Sequence, residues 1–568
     1  MRRTLLSTLG LALMLCGAGR LPAQELKPAA VVLLPSYDAI LAHVSFAGQL
    51  ADTPNLSALL ESSIVGATQG KGLNGLDKSK PLGAVILLDS AANGAPQWLA
   101  FAGVTDLKAL LGSLPMAPPQ DKGGGVWEVR GPKGPILATQ HGGWAWLSSN
   151  ADRLKAAPAD PLELLGGLEK EYSTAIRLNV QNIPADIRKT FLAGIQASLE
   201  NGLEPREGVE PSTYSKFRKA TVEKQLKAIE AYSQDVDQVT LGEALDPQAK
   251  SLHFDLTLTA LPGSKLAEKF AGQTAGQSSF AGFLIPDAAF NLNFSQKLAP
   301  EDIDRAVATL ESCLTSVQAK IDKEPTFQDD ATRTAAKDVA REVFDVFENT
   351  AKAGKLDGGA VLSLKPKAMA FAAGGFVQDA DALDRAFHKL ADLEKENPKF
   401  PKIEFDAETY QGVRFHHLSA PIKDEEAKNA LGDNVDIYIG FGKQSAYLAF
   451  GKGSLDLVKS VIDRSAAAGA SEGEAMPLPP VQVNISLASI LQFGESVKPS
   501  PANGAILQTL SEFKGKDHIR FTARSIENGM SYRILAEQGV LKVAAQALKG
   551  HAMPGGAASA PDSPHGLK

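Results

Sequence analysis

A disulfide within the mature chain is excluded almost at once. The 568-residue chain carries only two cysteines, Cys16 and Cys313, and Cys16 sits in a leader-like stretch. Stability must then come from packed cores, which a chain of this length builds as more than one domain. Aromatic residues are scarce, and all four tryptophans, Trp98, Trp127, Trp144 and Trp146, fall before residue 150. An aromatic ligand platform would belong to that part of the chain alone. Positive charge is also short, with a formal net charge of −7. That balance argues against nucleic acid as a partner, because binding phosphate by counterion release needs a concentrated basic face. Past the first 18 residues no apolar run approaches the roughly 20 residues of a membrane span.

What is present starts with the leader. Arg2 and Arg3 precede an apolar run from Leu5 to Ala18, and Leu21-Pro22-Ala23 puts a small residue at the cleavage position. This pattern predicts a signal peptide over 1–23, cleavage near Ala23, and export to the periplasm or beyond. Leu15 before Cys16 breaks the small-residue requirement of a lipid-attachment site, and no transmembrane segment is expected in the mature chain. Loss of Arg2, Arg3 and Arg20 leaves the remainder more acidic still.

Catalytic strings are missing. There is no G-x-S-x-G to hold a serine on a strained turn, no phosphate loop, and neither C-x-x-C nor H-E-x-x-H for zinc. No cofactor and no metal are expected, and the chain leans away from being an enzyme. His416 and His417 are neighbours in a strand-like run and would point to opposite faces, one buried and one exposed. Cys313, between Leu310 and Leu314, reads as a small buried hydrophobe. Glu128, Asp160, Asp433 and Asp436 could in principle act as acid and base, but their spacing selects none. Trp144 and Trp146 are two apart and share a face. With Trp127 they are core residues if that face is internal, and the candidate ligand-binding residues if it is open.

The chain also echoes itself. GAVILL (83–88) leads through a turn to WLAFAG (98–103), and GAVLSL (359–364) leads to MAFAAG (369–374). Ahead of these, 39–63 resembles 288–313 as strand, loop, proline and helix, with Pro54 matching Pro300. Behind them, 142–157 resembles 445–462, 175–183 resembles 481–490, and 251–271 resembles 530–548. The tight turns make the strands antiparallel. The expected fold is α+β: two related modules, each an antiparallel sheet with helices packed on one face. Their expected bounds are 24–271 and 280–548, with a boundary at GQTAGQSSF (272–280), a long helix over 214–239, and a disordered tail over 549–568.

RLNVQNIPADIR (177–188), DPLELLGGLEKEY (160–172), GGWAWLSSNADRL (142–154) and ALPGSKLAEKF (260–270) resemble segments of a family of exported proteins of unknown function, chiefly from planctomycete-type bacteria. The resemblance implies export and an α+β fold and supplies no activity. Three functions stay open. The first is an exported non-catalytic binding or scaffolding protein of the cell envelope, with an unknown protein partner or ligand. The second is a carrier of an apolar, lipid-like ligand on the sheet face. The third is a metal-independent hydrolase.

Overall fold

The computed structural model describes residues 26–88, 96–115, 117–131, 134–201, 233–273, 276–324, 329–394, 402–470 and 478–552. The expected leader, residues 214–232 of the expected long helix and residues 553–568 of the expected tail lie outside the described residues.

Ten strands precede residue 261: β1 (Ala30–Leu34), β2 (Leu82–Leu87), β3 (Gln97–Gly103), β4 (Gln120–Asp121), β5 (Val126–Gly131), β6 (Gly134–His141), β7 (Trp144–Ser148), β8 (Thr174–Asn179), β9 (Val236–Asp246) and β10 (Ser251–Ala260). Ten follow it: β11 (Phe290–Lys297), β12 (Lys355–Lys365), β13 (Ala368–Phe376), β14 (Lys402–Tyr410), β15 (Val413–Pro421), β16 (Asn434–Phe441), β17 (Ser445–Gly451), β18 (Val481–Ser486), β19 (His518–Ile526) and β20 (Gly529–Ala536). All join one 20-stranded sheet. From one edge the order is β4-β5-β6-β7-β3-β2-β1-β8-β9-β10. It continues β20-β19-β18-β11-β12-β13-β17-β16-β15-β14, antiparallel throughout. The β14–β15 turn has φ of 46° at Gln411 and 79° at Gly412, the two left-handed residues that let a tight hairpin follow the twist of its strands.

The expectation of helices on one face fails at β7 and β17. Tyr447 and Ala449 of β17 pack with Val458 and Val461 of helix Ser454–Ala470. Ala446, on the other face of the same strand, packs instead with Val346 and Leu383 of helices Asp330–Lys352 and Ala380–Glu394. In the same way β7 turns Trp144 and Trp146 to one core and Ala145 to another, beside helix Leu107–Ser113. Both strands are apolar on both faces and pack on both for part of their length, although Leu448 of β17 stays 42% exposed.

Other elements also differ from expectation. Residues 39–47 form part of helix Tyr37–Leu50, capped by Ser36 Oγ accepting from Ala39 N–H at 3.2 Å, and not a strand. The helix after Pro54, Leu56–Ala67, is therefore the second after β1. The helix opened by Pro300, Pro300–Ile321, is the first after β11, so these two prolines do not correspond. The helix expected to reach residue 239 gives way to β9 at Val236, and helix Gln538–Ala552 takes in the first residues of the expected tail. Within the expected boundary, Ser278 and Phe280 are buried, and Ser278 Oγ donates to Asp357 Oδ1 at 2.6 Å. Residues 278–280 dock on the sheet.

The two runs of strands meet where β10 pairs with β20, from Leu252 opposite Ala536 to Thr259 opposite Gly529. Near the middle Asp255 faces Arg533, which donates through Nε and Nη2 at 2.8 and 2.6 Å. Tyr172 donates its hydroxyl to the same carboxylate at 3.1 Å. Burial first, and then the Asp255 charge, push the Tyr172 phenol up to about 12, so it remains a donor. Helix Lys265–Gly272 crosses the joint, setting Leu266 and Phe270 against Ala523 and Met530.

Replacing Arg533 by Leu strands a carboxylate that is only 4% exposed. Because the arginine itself is partly open to water, the loss should be about 2–3 kcal/mol, below the range for fully buried pairs. Urea denaturation checks this, and the Asp255→Leu/Arg533→Leu double variant should recover part of the loss. An unchanged single variant would mean the pair contributes nothing to the joint.

Candidate functional site

Trp144 and Trp146 do share a face, and that face is internal. They are 6% and 0% exposed and pack on Phe101 with ring centroids 5.9 and 5.5 Å away. They cannot floor a ligand site. Trp127 is half-buried on β5, and the Lys108 ammonium occupies the space over its ring, 5.4 Å from the centroid. Cys313 is exposed, correcting its expected burial: in its helix the buried residue is Leu314, and successive helical positions point about 100° apart.

His416 is fully buried, while His417 is half-buried and its Nε2 lies 3.0 Å from Asp436 Oδ1. Glu128 pairs with Lys122 at 3.1 Å, Asp160 accepts from Leu162 N–H at 3.0 Å, and the Asp433 carbonyl accepts from Ile422 N–H at 2.8 Å. Glu128, Asp160 and Asp436 thus each have a local contact through the carboxylate, whereas that of Asp433 runs through its backbone. His43 Nε2 lies 3.4 Å from Ser173 Oγ, and burial lowers the histidine below its ordinary range against an opposing pull from Glu243. Ser173 gives its own N–H to the Glu243 carbonyl at 2.9 Å, directly before β8, and is not in the left-handed region of a nucleophile turn. At that distance the contact is a hydrogen bond near its outer limit.

Sequence reasoning singled out His416 but missed its partners Asp384 and His388; the ligand-type atoms of the three lie within 4.8 Å of one another. The available signal was the one-turn spacing of Asp384 and His388 in helix Ala380–Glu394. Asp384 Oδ1 is 2.9 Å from His416 Nε2 and 3.5 Å from His388 Nε2. The remaining nitrogen of His416 decides whether a metal fits. Asp406 N–H points at Nδ1 at 3.0 Å, so Nδ1 must offer a lone pair and the ring proton resides on Nε2. A metal on Nε2 would require a ring stripped of both protons, so this donor set does not fit a divalent cation. The cluster is a buried polar knot, completed by Arg414 Nη2 donating to Asp384 Oδ2 at 2.6 Å and to Asp381 Oδ1 at 2.9 Å.

A groove of about 860 Å³ is of a different kind. It runs where β11, β12 and β13 end beneath helices Pro300–Ile321 and Asp330–Lys352. Leu298, Ala306, Leu310, Phe347, Leu356 and Phe376 form its apolar lining, and Phe347 and Leu356 are each 40% exposed. Lys269, Lys297, Arg305 and Lys355 also line it, with Asp302 as the single carboxylate. Lys269 Nζ lies 3.0 Å and Arg305 Nη2 3.4 Å from the same oxygen of Asp302. Lys355 is held by buried Asp357 at 3.1 Å, its ammonium 5.1 Å from the centre of the Phe376 ring. Lys297 makes no ion pair among the described residues. The volume falls within the roughly 300–1,000 Å³ of small-molecule sites, which combine apolar walls with a few polar groups.

No family model, no characterised protein and no solved structure matches this chain.

The histidine cluster makes a prediction of its own. His416→Leu should cost about 2–3 kcal/mol in urea denaturation, since Asp406 N–H and Asp384 each lose a buried partner. EDTA should leave the wild-type melting temperature unchanged; a sharp fall would mean that these residues hold a structural metal after all.

Proposed function

We propose that the chain is an exported, non-catalytic binding protein built by internal duplication, and that it carries an apolar, lipid-like ligand in the groove under helices Pro300–Ile321 and Asp330–Lys352. The groove is the observation that carries this reading, because it leaves Phe347 and Leu356 open to solvent inside a concave, largely apolar wall. A ligand covering them would recover about 1–2 kcal/mol for each side chain. A pure scaffold has no use for such a concavity, which favours the carrier over the scaffolding role. A hydrolase needs acid and base groups converging on a reacting bond, and the candidate carboxylates are dispersed.

Duplication is supported by the strand order, since β1 to β10 and β11 to β20 follow the same sequence of neighbours outward from the β10–β20 joint. Individual bonds support it too. Ala29 N–H donates to Ile86 and Ala289 N–H to Leu362, while the carbonyls of Ala29 and Ala289 accept from Asn179 and Ser486. Gly83 and Gly359 recur at matching positions, and a Cβ at either would strike an aromatic ring, Phe101 at 2.3 Å or Phe283 at 2.7 Å. Export is supported by the Arg2-Arg3 leader with Ala23 at its end. Among the described residues no helix is long and apolar enough to cross a membrane.

Mass spectrometry of the protein purified without detergent tests the carrier role. Wild type should retain or take up an apolar molecule at up to one per chain, and Ala306→Trp with Ala351→Trp should abolish this while the fold persists by circular dichroism. Equal retention by the filled variant, or no uptake by wild type of any long-chain apolar probe, would reject the groove as the site.

A further inference from the structure

We infer that the ligand of this groove is an anionic single-chain amphiphile, a long-chain carboxylate, with its head group at the Lys269, Lys297 and Arg305 end. The inference rests on the groove being the ligand site, as proposed above, and adds the chemistry of the head group. The chain as a whole is acidic, with a formal net charge of −7, yet the groove is lined by Lys269, Lys297, Arg305 and Lys355 against Asp302 as its one carboxylate. Lys269 and Arg305 share one oxygen of Asp302, at 3.0 and 3.4 Å. Lys297, exposed at the end of β11, has no counter-ion among the described residues.

Asp302 pairs with Lys269 and Arg305, and Asp357 with Lys355, which leaves Lys297 open to a second anion at the mouth. A ligand carboxylate would take charge-assisted hydrogen bonds from Lys297 and Arg305, for which Asp302 is at present the local stand-in. The apolar wall of Leu298, Leu310, Phe347 and Leu356 then receives a hydrocarbon tail leading away from that end. Lys355 is not needed, because Asp357 already holds it at 3.1 Å.

Two probes of equal chain length separate the head group from the tail: palmitate, and its neutral counterpart hexadecanol. At low salt wild type should bind palmitate at least about ten-fold more tightly than the alcohol. That preference should shrink as salt rises, since the charges lie at the mouth. Lys297→Gln with Arg305→Gln should reduce it to less than about three-fold, with palmitate affinity falling much further than hexadecanol affinity. Asp302→Asn removes the competing carboxylate and should tighten palmitate several-fold, whereas a purely structural Asp302 would give weaker binding or none. Equal affinity for the two probes overturns the anionic head group and leaves the apolar groove standing. Failure of wild type to bind either probe overturns both readings.

Discussion

Backbone hydrogen bonding between β10 and β20 decides the architecture, because each strand would otherwise be an open sheet edge. Leu252 through Thr259 pair with Ala536 back to Gly529, and the two ten-strand runs become one sheet instead of two. An unpaired edge of that length is a template for association with other chains. The Asp255–Arg533 pair sits within the joint, and Tyr172 ties it to the core of the first run. A like-charged pair directly opposite at this position would oppose the pairing. The observed side chains are complementary, and the Asp255 hydrogen bonds hold the Arg533 guanidinium above its usual range.

The groove depends on this joint. Helix Lys265–Gly272 belongs to the first run of the chain, but Leu266 and Phe270 pack on Ala523 and Met530 of the second. That docking carries Lys269 to Asp302, at the start of a helix in the second run, and so places a cation from one run in a groove walled mainly by the other. Weakening the joint should therefore disturb binding as well as stability. The Asp384–His416 knot lies between helix Ala380–Glu394 and strand β15, where Phe387 stacks on the imidazole and Phe441 lies tilted against it. It is part of a core and contributes to folding instead of to a site.

Local pattern carried much of the fold. Both hairpins, 83–103 and 359–374, were legible because apolar alternation, glycine and tight turns agree with one another. Helix Pro300–Ile321 was legible from Pro300 followed by Glu301 and Asp302, residues that suit the positive end of a helix. Residues 39–47 were misread because AILAHVSFA satisfies a two-residue and a helical period alike, and Ser36, whose side chain caps the helix, lay outside the window. The packing on both faces of β7 and β17 was not legible, since one strand sequence does not name the elements that pack on either face. The groove was invisible for a similar reason: Lys269, Lys297, Phe347 and Phe376 converge only after distant strands pair and helices dock. Tryptophans attracted attention by rarity, whereas the structure spends Trp144 and Trp146 on packing.

If the groove is the working surface, ligand protection should be local to it. Hydrogen-exchange mass spectrometry with and without palmitate measures this most directly. The account predicts slower exchange in peptides covering 296–310, 347–356 and 375–377, with the Trp144–Ser148 strand unaffected. Protection centred on Trp144 and Trp146, or none under conditions where palmitate is bound, would contradict it.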